Sequence, residues 1–172
     1  MPYSFAKFLK DFPNADTCLE YLFNTKHANT KCPECGRVGK LTRNKSLAGY
    51  QCHCGRFLLY PRKGTLFENS KIDLQKWFLA ILLLSESRMT VRELSDALEI
   101  SKPIAWKVQQ KLMKIMAENV KNTDFLKGGN ASIGGGNFNE ESRHLYVASD
   151  VFRKEKTGEE PFRRLLNLAM NV

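Results

Sequence analysis

The sequence has no long apolar run. The longest, Trp77 to Leu84, is eight residues, whereas a membrane-spanning helix needs about 20. The opening residues, MPYSFAKFLKDFPNAD, mix charge with aromatic rings and hold neither an apolar core nor a small-residue cleavage site of the kind a secretory leader carries. An intracellular protein is therefore expected, cytoplasmic and associated with the nucleoid. Internal repeats are absent, which excludes a solenoid. An even set of cysteines is also missing: there are five, Cys18, Cys32, Cys35, Cys52 and Cys54. With no leader, a disulfide scaffold is disfavoured, and clustered cysteines in a reducing compartment read as metal ligands.

What is present in excess is positive charge. The net charge is +9 over 172 residues. Residues 1–71 carry 12 lysines and arginines against 5 carboxylates, whereas residues 128–172 are balanced at 6 and 6. The basic part is where phosphates would be neutralised. The same lysines would also serve as an ordinary solvated surface.

The chain divides into four segments by character. Residues 1–31 hold a helical pattern, with Cys18, Leu19, Leu22 and Phe23 at helical spacing after Pro13. Residues 32–71 are rich in glycine, basic residues and aromatics, which suits short strands and turns. Residues 72–121 are helical in pattern. Residues 122–172 combine a glycine-rich stretch with an amphipathic end. The expected class is α+β, with a small zinc ribbon followed by a helix-turn-helix.

The ribbon rests on two cysteine pairs. Cys32-Pro33-Glu34-Cys35-Gly36 supplies two thiolates across a tight turn, and Gly36 permits the positive φ that aims amides at sulfur. Cys52-His53-Cys54 follows after sixteen residues, room for a strand, a turn and a returning strand. Four thiolates in this arrangement suit one structural Zn²⁺ with no open coordination position. The second pair is CxC where CxxC is usual, so either the loop is rearranged or His53 replaces one thiolate. Free thiols and an iron–sulfur cluster are the alternatives. Around the second pair, Tyr50 and Phe57 are expected to pack the ribbon, and Arg56, Arg62 and Lys63 to reach phosphates.

From Ile72 onward the signals are helical. Asp73 is placed to cap a helix beginning at Leu74. Thr90 and Glu93 form a capping box that opens a helix with Val91, Leu94 and Leu98 on one side. Ser101 is placed to cap a third helix, with Pro103 in its first turn and Ala105, Val108, Leu112 and Ile115 inward. The turn Glu99-Ile100-Ser101 separates the last two helices, as in a helix-turn-helix. The last helix then offers Lys102, Trp106, Lys107, Gln109 and Gln110 to a major groove of double-stranded DNA. A plain three-helix bundle with Trp106 in its core is the competing arrangement.

Taken in order, FPNADTCLEYLF, CPECG, YQCHC, GTLF, LQKWFLAILLL and VRELSDALEISKPIAW resemble the N-terminal part of zinc-ribbon transposases of bacterial insertion sequences, the group related to eukaryotic Merlin elements. The resemblance covers about residues 10–120. It implies recognition of transposon ends by the ribbon and helix-turn-helix, a homodimer as a possible assembly, and a following RNase H-like domain in which three carboxylates hold two divalent metals. The first family carboxylate lies in a motif resembling D-E-T-Y-I-G-G, which falls here on Gly129 to Gly135, placing Gly129 and Asn130 at the acidic positions. Only 37 residues follow Gly135, against the 100 or so of such a domain.

No catalytic residue is therefore assigned. Residues 142–152 are expected as a remnant strand, with Asp150 as a strand-end carboxylate or a turn or capping residue, and 161–170 as a short helix. The expected function is sequence-specific DNA binding without cleavage. An active transposase subunit and a protein-interaction module are the alternatives.

Overall fold

A computed structural model describes residues 3–120, 140–154 and 160–171. Among these the protein is α+β, with seven helices and one three-stranded antiparallel sheet. The glycine-rich stretch, including Gly129 and Asn130, lies outside the described residues. No helix among the described residues is long and apolar enough to cross a membrane.

Two helices open the chain, α1 (Phe5–Asp11) and α2 (Ala15–Lys26). The second is the one expected from Cys18, Leu19, Leu22 and Phe23, all buried. Asn14 and Thr17 cap it reciprocally: the Asn14 side chain accepts from the Thr17 amide at 2.9 Å, and Thr17 Oγ1 accepts from the Asn14 amide at 3.3 Å. Strands β1 (Leu41–Asn44), β2 (Gly49–Cys52) and β3 (Leu58–Leu59) follow, in the order β1-β2-β3. The sheet docks on α2 through Tyr50, whose ring stacks on Phe23 with centroids 3.7 Å apart. Arg43 reinforces this, pairing with Asp16 at 2.6 Å.

The central helix is α3 (Leu74–Glu86), capped by Asp73, whose carboxylate accepts from the Gln75 amide at 2.8 Å. Then come α4 (Val91–Leu98) and α5 (Lys102–Glu118). The Thr90–Glu93 capping box is formed as expected: Glu93 Oε2 accepts from the Thr90 amide at 2.7 Å and Thr90 Oγ1 from the Glu93 amide at 3.2 Å. Ser101 sits at the N-cap of α5, but its hydroxyl caps nothing. Pro103 has removed the N–H at the second helical position, and the third amide, Ile104, is already bonded to the Ser101 carbonyl at 3.0 Å. Ala105, Val108, Leu112 and Ile115 are buried as their spacing requires.

The tail corrects one expectation. Residues 142–152 are not a strand: they lie within α6 (Glu140–Lys154). The run from Leu145 to Phe152 carries apolar residues at both periods. The helical set Leu145, Ala148 and Phe152 prevails because it turns Ala148 and Phe152, both buried, toward the shared core. Asp150 is neither a strand end nor a turn or capping residue, since it lies inside this helix. Its carboxylate pairs with Arg153 one turn along, at 2.7 Å, and with Arg88 in the α3–α4 connection. Arg153 completes the clamp, Nε donating to the Leu84 carbonyl at 2.8 Å. Burial, followed by the neighbouring Arg88, lowers the Arg153 guanidinium to about 10. The last helix, α7 (Pro161–Met170), occupies the expected residues.

One cluster of buried side chains runs from Tyr3 to Met170, so segments of different sequence character share a core. Its centre is aromatic. Phe12 meets Phe78 edge-on at 5.0 Å, and Phe162 of α7 meets Phe8 edge-on at 6.1 Å and stacks on Tyr3 at 4.6 Å.

Candidate metal centre and basic helix face

Two tight backbone reversals bring the four cysteines together. In the first, Gly36 at φ +70° lets its amide reach the Cys32 carbonyl at 2.9 Å, and the Cys32 amide bonds the Arg37 carbonyl at 2.9 Å. In the second, β2 turns back into β3 through His53–Arg56. The Cys52 amide bonds the Phe57 carbonyl, and the Gly55 amide bonds the Cys52 carbonyl, both at 2.8 Å. Gly55 at φ +77° makes that turn possible. The CxC spacing thus works through a hairpin: Cys52 ends the strand and Cys54 occupies the loop tip.

The four ligand sulfurs of Cys32, Cys35, Cys52 and Cys54 lie within 4.8 Å of one another. Cys32 and Cys54 are 3.8 Å apart, Cys35 and Cys52 3.6 Å. A tetrahedral ion with bonds of about 2.3 Å sets its sulfurs about 3.8 Å apart, while a disulfide would bring them to about 2.05 Å. The four thiols are therefore positioned to hold a metal ion, with dimensions consistent with zinc. The backbone amide of Arg56 donates to the Cys54 thiol and lowers its pKa, while at Cys52 the Cys54 amide is outweighed by desolvation and the neighbouring thiols, which push that thiol up, so the clustered thiols ionise in sequence. His53 is exposed and is not one of the group. Cys18 is buried elsewhere in the core, where desolvation, aided by Asp73, pushes its thiol up to about 12.

The basic residues near the cysteines separate into two kinds. Arg56 and Lys63 are exposed. Arg62 is half-buried and occupied: its guanidinium donates to the Phe67 carbonyl at 2.7 and 3.0 Å and to the Ser70 carbonyl at 2.8 Å. Its part is to fold the loop between β3 and α3, not to offer a free charge.

On α5, Lys102 and Lys107 are exposed, Trp106 is 52% exposed, and Gln110 is half-exposed. Trp106 is therefore on the surface and not in a bundle core. Gln109 is the correction. It is 1% exposed, and its Nε2 donates to the Met89 carbonyl at 2.6 Å, so it lies inside the fold where no groove can meet it.

Sequence reasoning passes over three exposed residues of this helix. Lys111 and Lys114 continue from Lys107 at i+4 and i+7, and Ile104, 41% exposed, precedes Trp106. Continuing the helical spacing from Lys107 finds the lysines. Among the described residues, no carboxylate forms an ion pair with any of them.

Comparison with known proteins adds no constraint: no family model, curated protein or solved structure matches the chain.

Proposed function

We propose that this chain is a double-stranded DNA-binding protein, built from a zinc ribbon and a helix-turn-helix, of the kind transposases use to recognise transposon ends. The carrying observation is the outer face of α5. Lys102, Lys107, Lys111 and Lys114 stand exposed along one helix with Trp106 among them, and only Glu118 opposes them within it. A monomer gains nothing by exposing half of a tryptophan beside a row of lysines. A duplex offers phosphates to the lysines and base edges to the first turn.

Two further features support the reading. The helices α4 and α5 are joined by three residues, Glu99 to Ser101, with Glu99 left-handed at φ 51°, and this short connection suits the motif. Structural Zn²⁺ is the occupant we assign to the tetrathiolate. Four sulfur ligands leave no position for substrate water, so the ion acts by holding the ribbon. Binding without cleavage is favoured because Asp150 is committed to Arg88 and Arg153.

Fluorescence anisotropy of a labelled random-sequence duplex with the zinc-loaded protein tests the proposal. Affinity should fall steeply with salt. The triple variant Lys107→Gln, Lys111→Gln, Lys114→Gln should flatten the log–log slope by about 0.9 for each phosphate no longer neutralised. Absence of binding by folded, zinc-loaded protein would overturn it.

A further inference from the structure

A cavity of about 360 Å³ opens between α1, α2 and α7. Its lining is aromatic. Phe12 and Phe162 are buried and Tyr21 is half-buried. Phe12 meets Tyr21 edge-on at 5.3 Å and Phe162 edge-on at 6.2 Å. Tyr3 joins them, stacked on Phe162, and its hydroxyl donates to Asp11 Oδ2 at 2.5 Å. Burial, reinforced by that bond to Asp11, pushes the Tyr3 phenol up, so it stays a neutral donor.

The polar part of the lining is mainly acidic. Asp11 and Glu20 are both exposed, and among the described residues neither forms an ion pair. Two cations stand close by. Arg163 also lines the cavity, but its Nε is 3.8 Å from Glu160 Oε2, and the two charges offset each other. Lys7 lies over the Tyr3 ring at 5.0 Å and is not part of the lining. Asp11 and Glu20 therefore leave the cavity negative in a chain whose net charge is +9. Ring faces attract a cation through their quadrupole, and carboxylates do so through full charge. A neutral guest gains only apolar contact, and an anion is repelled.

We propose that this cavity binds a small organic cation, an alkyl- or arylammonium whose apolar part lies against Phe12, Tyr21 and Phe162. Its ammonium group pairs with Asp11, and Glu20 adds to the attraction. The hydrogen bond from Tyr3 occupies one Asp11 oxygen and leaves the other for the guest. A volume in this range accommodates a single ring or a short alkyl chain. No lining residue belongs to the cysteine cluster or to α5, so this site and DNA binding stand or fall separately.

An NMR titration of the full, zinc-loaded chain with benzylammonium and its uncharged analogue benzyl alcohol tests it. Benzylammonium should bind with a Kd of about 1 mM or tighter, shifting the amides of Asp11, Glu20 and Tyr21, and benzyl alcohol should bind at least about tenfold more weakly. Asp11→Asn keeps an acceptor for the Tyr3 hydroxyl and should erase most of that preference. Glu20→Gln should reduce it by a smaller factor, and Arg163→Gln should tighten benzylammonium. Unchanged circular dichroism and melting separate a lost site from a lost fold. Equal affinity for the two probes would overturn the proposal, as would a preference untouched by Asp11→Asn. So would the absence of benzylammonium binding at about 10 mM, ten times a millimolar Kd.

Discussion

At the scale of single residues, the strongest constraint is the tetrathiolate. With the structural zinc proposed above in place, each sulfur would contribute on the order of a quarter of the roughly 10–16 kcal/mol such a site supplies. Cys54→Ser should therefore lower metal affinity about 100-fold or more, measured by competition with a chelator or by the visible absorption of cobalt-substituted protein. His53→Ala should leave that affinity unchanged, because the imidazole stands outside the cluster. Asp150 makes an independent prediction. Its side chain is 18% exposed and holds Arg153, itself 12% exposed. Asp150→Ala strands a buried guanidinium and should cost about 3 kcal/mol in urea denaturation. A loss below about 0.5 kcal/mol, the level of an ordinary surface change, would show the clamp to be idle.

Among the elements, the turn between α4 and α5 passes through Glu99 at φ 51°, a left-handed conformation that costs a side chain about 1 kcal/mol. Glu99→Gly should recover up to about that amount, read as a higher melting temperature, since glycine enters this region without strain. The helices on either side of the turn differ in what their own sequence reveals. The Thr90–Glu93 box and the buried stripe of α5 follow from adjacent residues and are legible. Gln109 is not. Four residues from Ala105 and three from Leu112, it falls on the buried stripe, but its polar amide reads as a surface group until the Met89 carbonyl, twenty residues away, is seen to accept from it. Residues 145–152 are ambiguous for the same reason: their apolar pattern fits both periods, and the core they join selects the helix.

On the scale of the whole molecule, the small sheet and the helices are unequally supported. The helical core closes on Phe8, Phe78 and Phe162, all at most 1% exposed, while the sheet reaches it through Tyr50 with partly buried Leu41 and Leu59. Removal of the metal by a chelator should therefore disorder residues 32–59 first and leave most helical circular dichroism in place. Amide hydrogen exchange should speed up at Tyr50 to Cys52 well before the amides of α3. Simultaneous loss of both would mean that the sheet and the helices form one cooperative unit.

The sequence by itself determined the cysteine pairs, the capped starts of α3 and α4, the apolar inward positions of α2 and α5, and the α+β class. All of these depend on residues within a turn or two of one another, where spacing is geometry. Tertiary structure decided the rest: which arginine is free and which is spent on carbonyls, why Cys18 is core and stands outside the cysteine group, how CxC joins that group through a hairpin, and that Asp150 serves a clamp. Each of those outcomes depends on groups distant in sequence that compete for the same polar atom or the same buried volume. Local spacing does not register that competition.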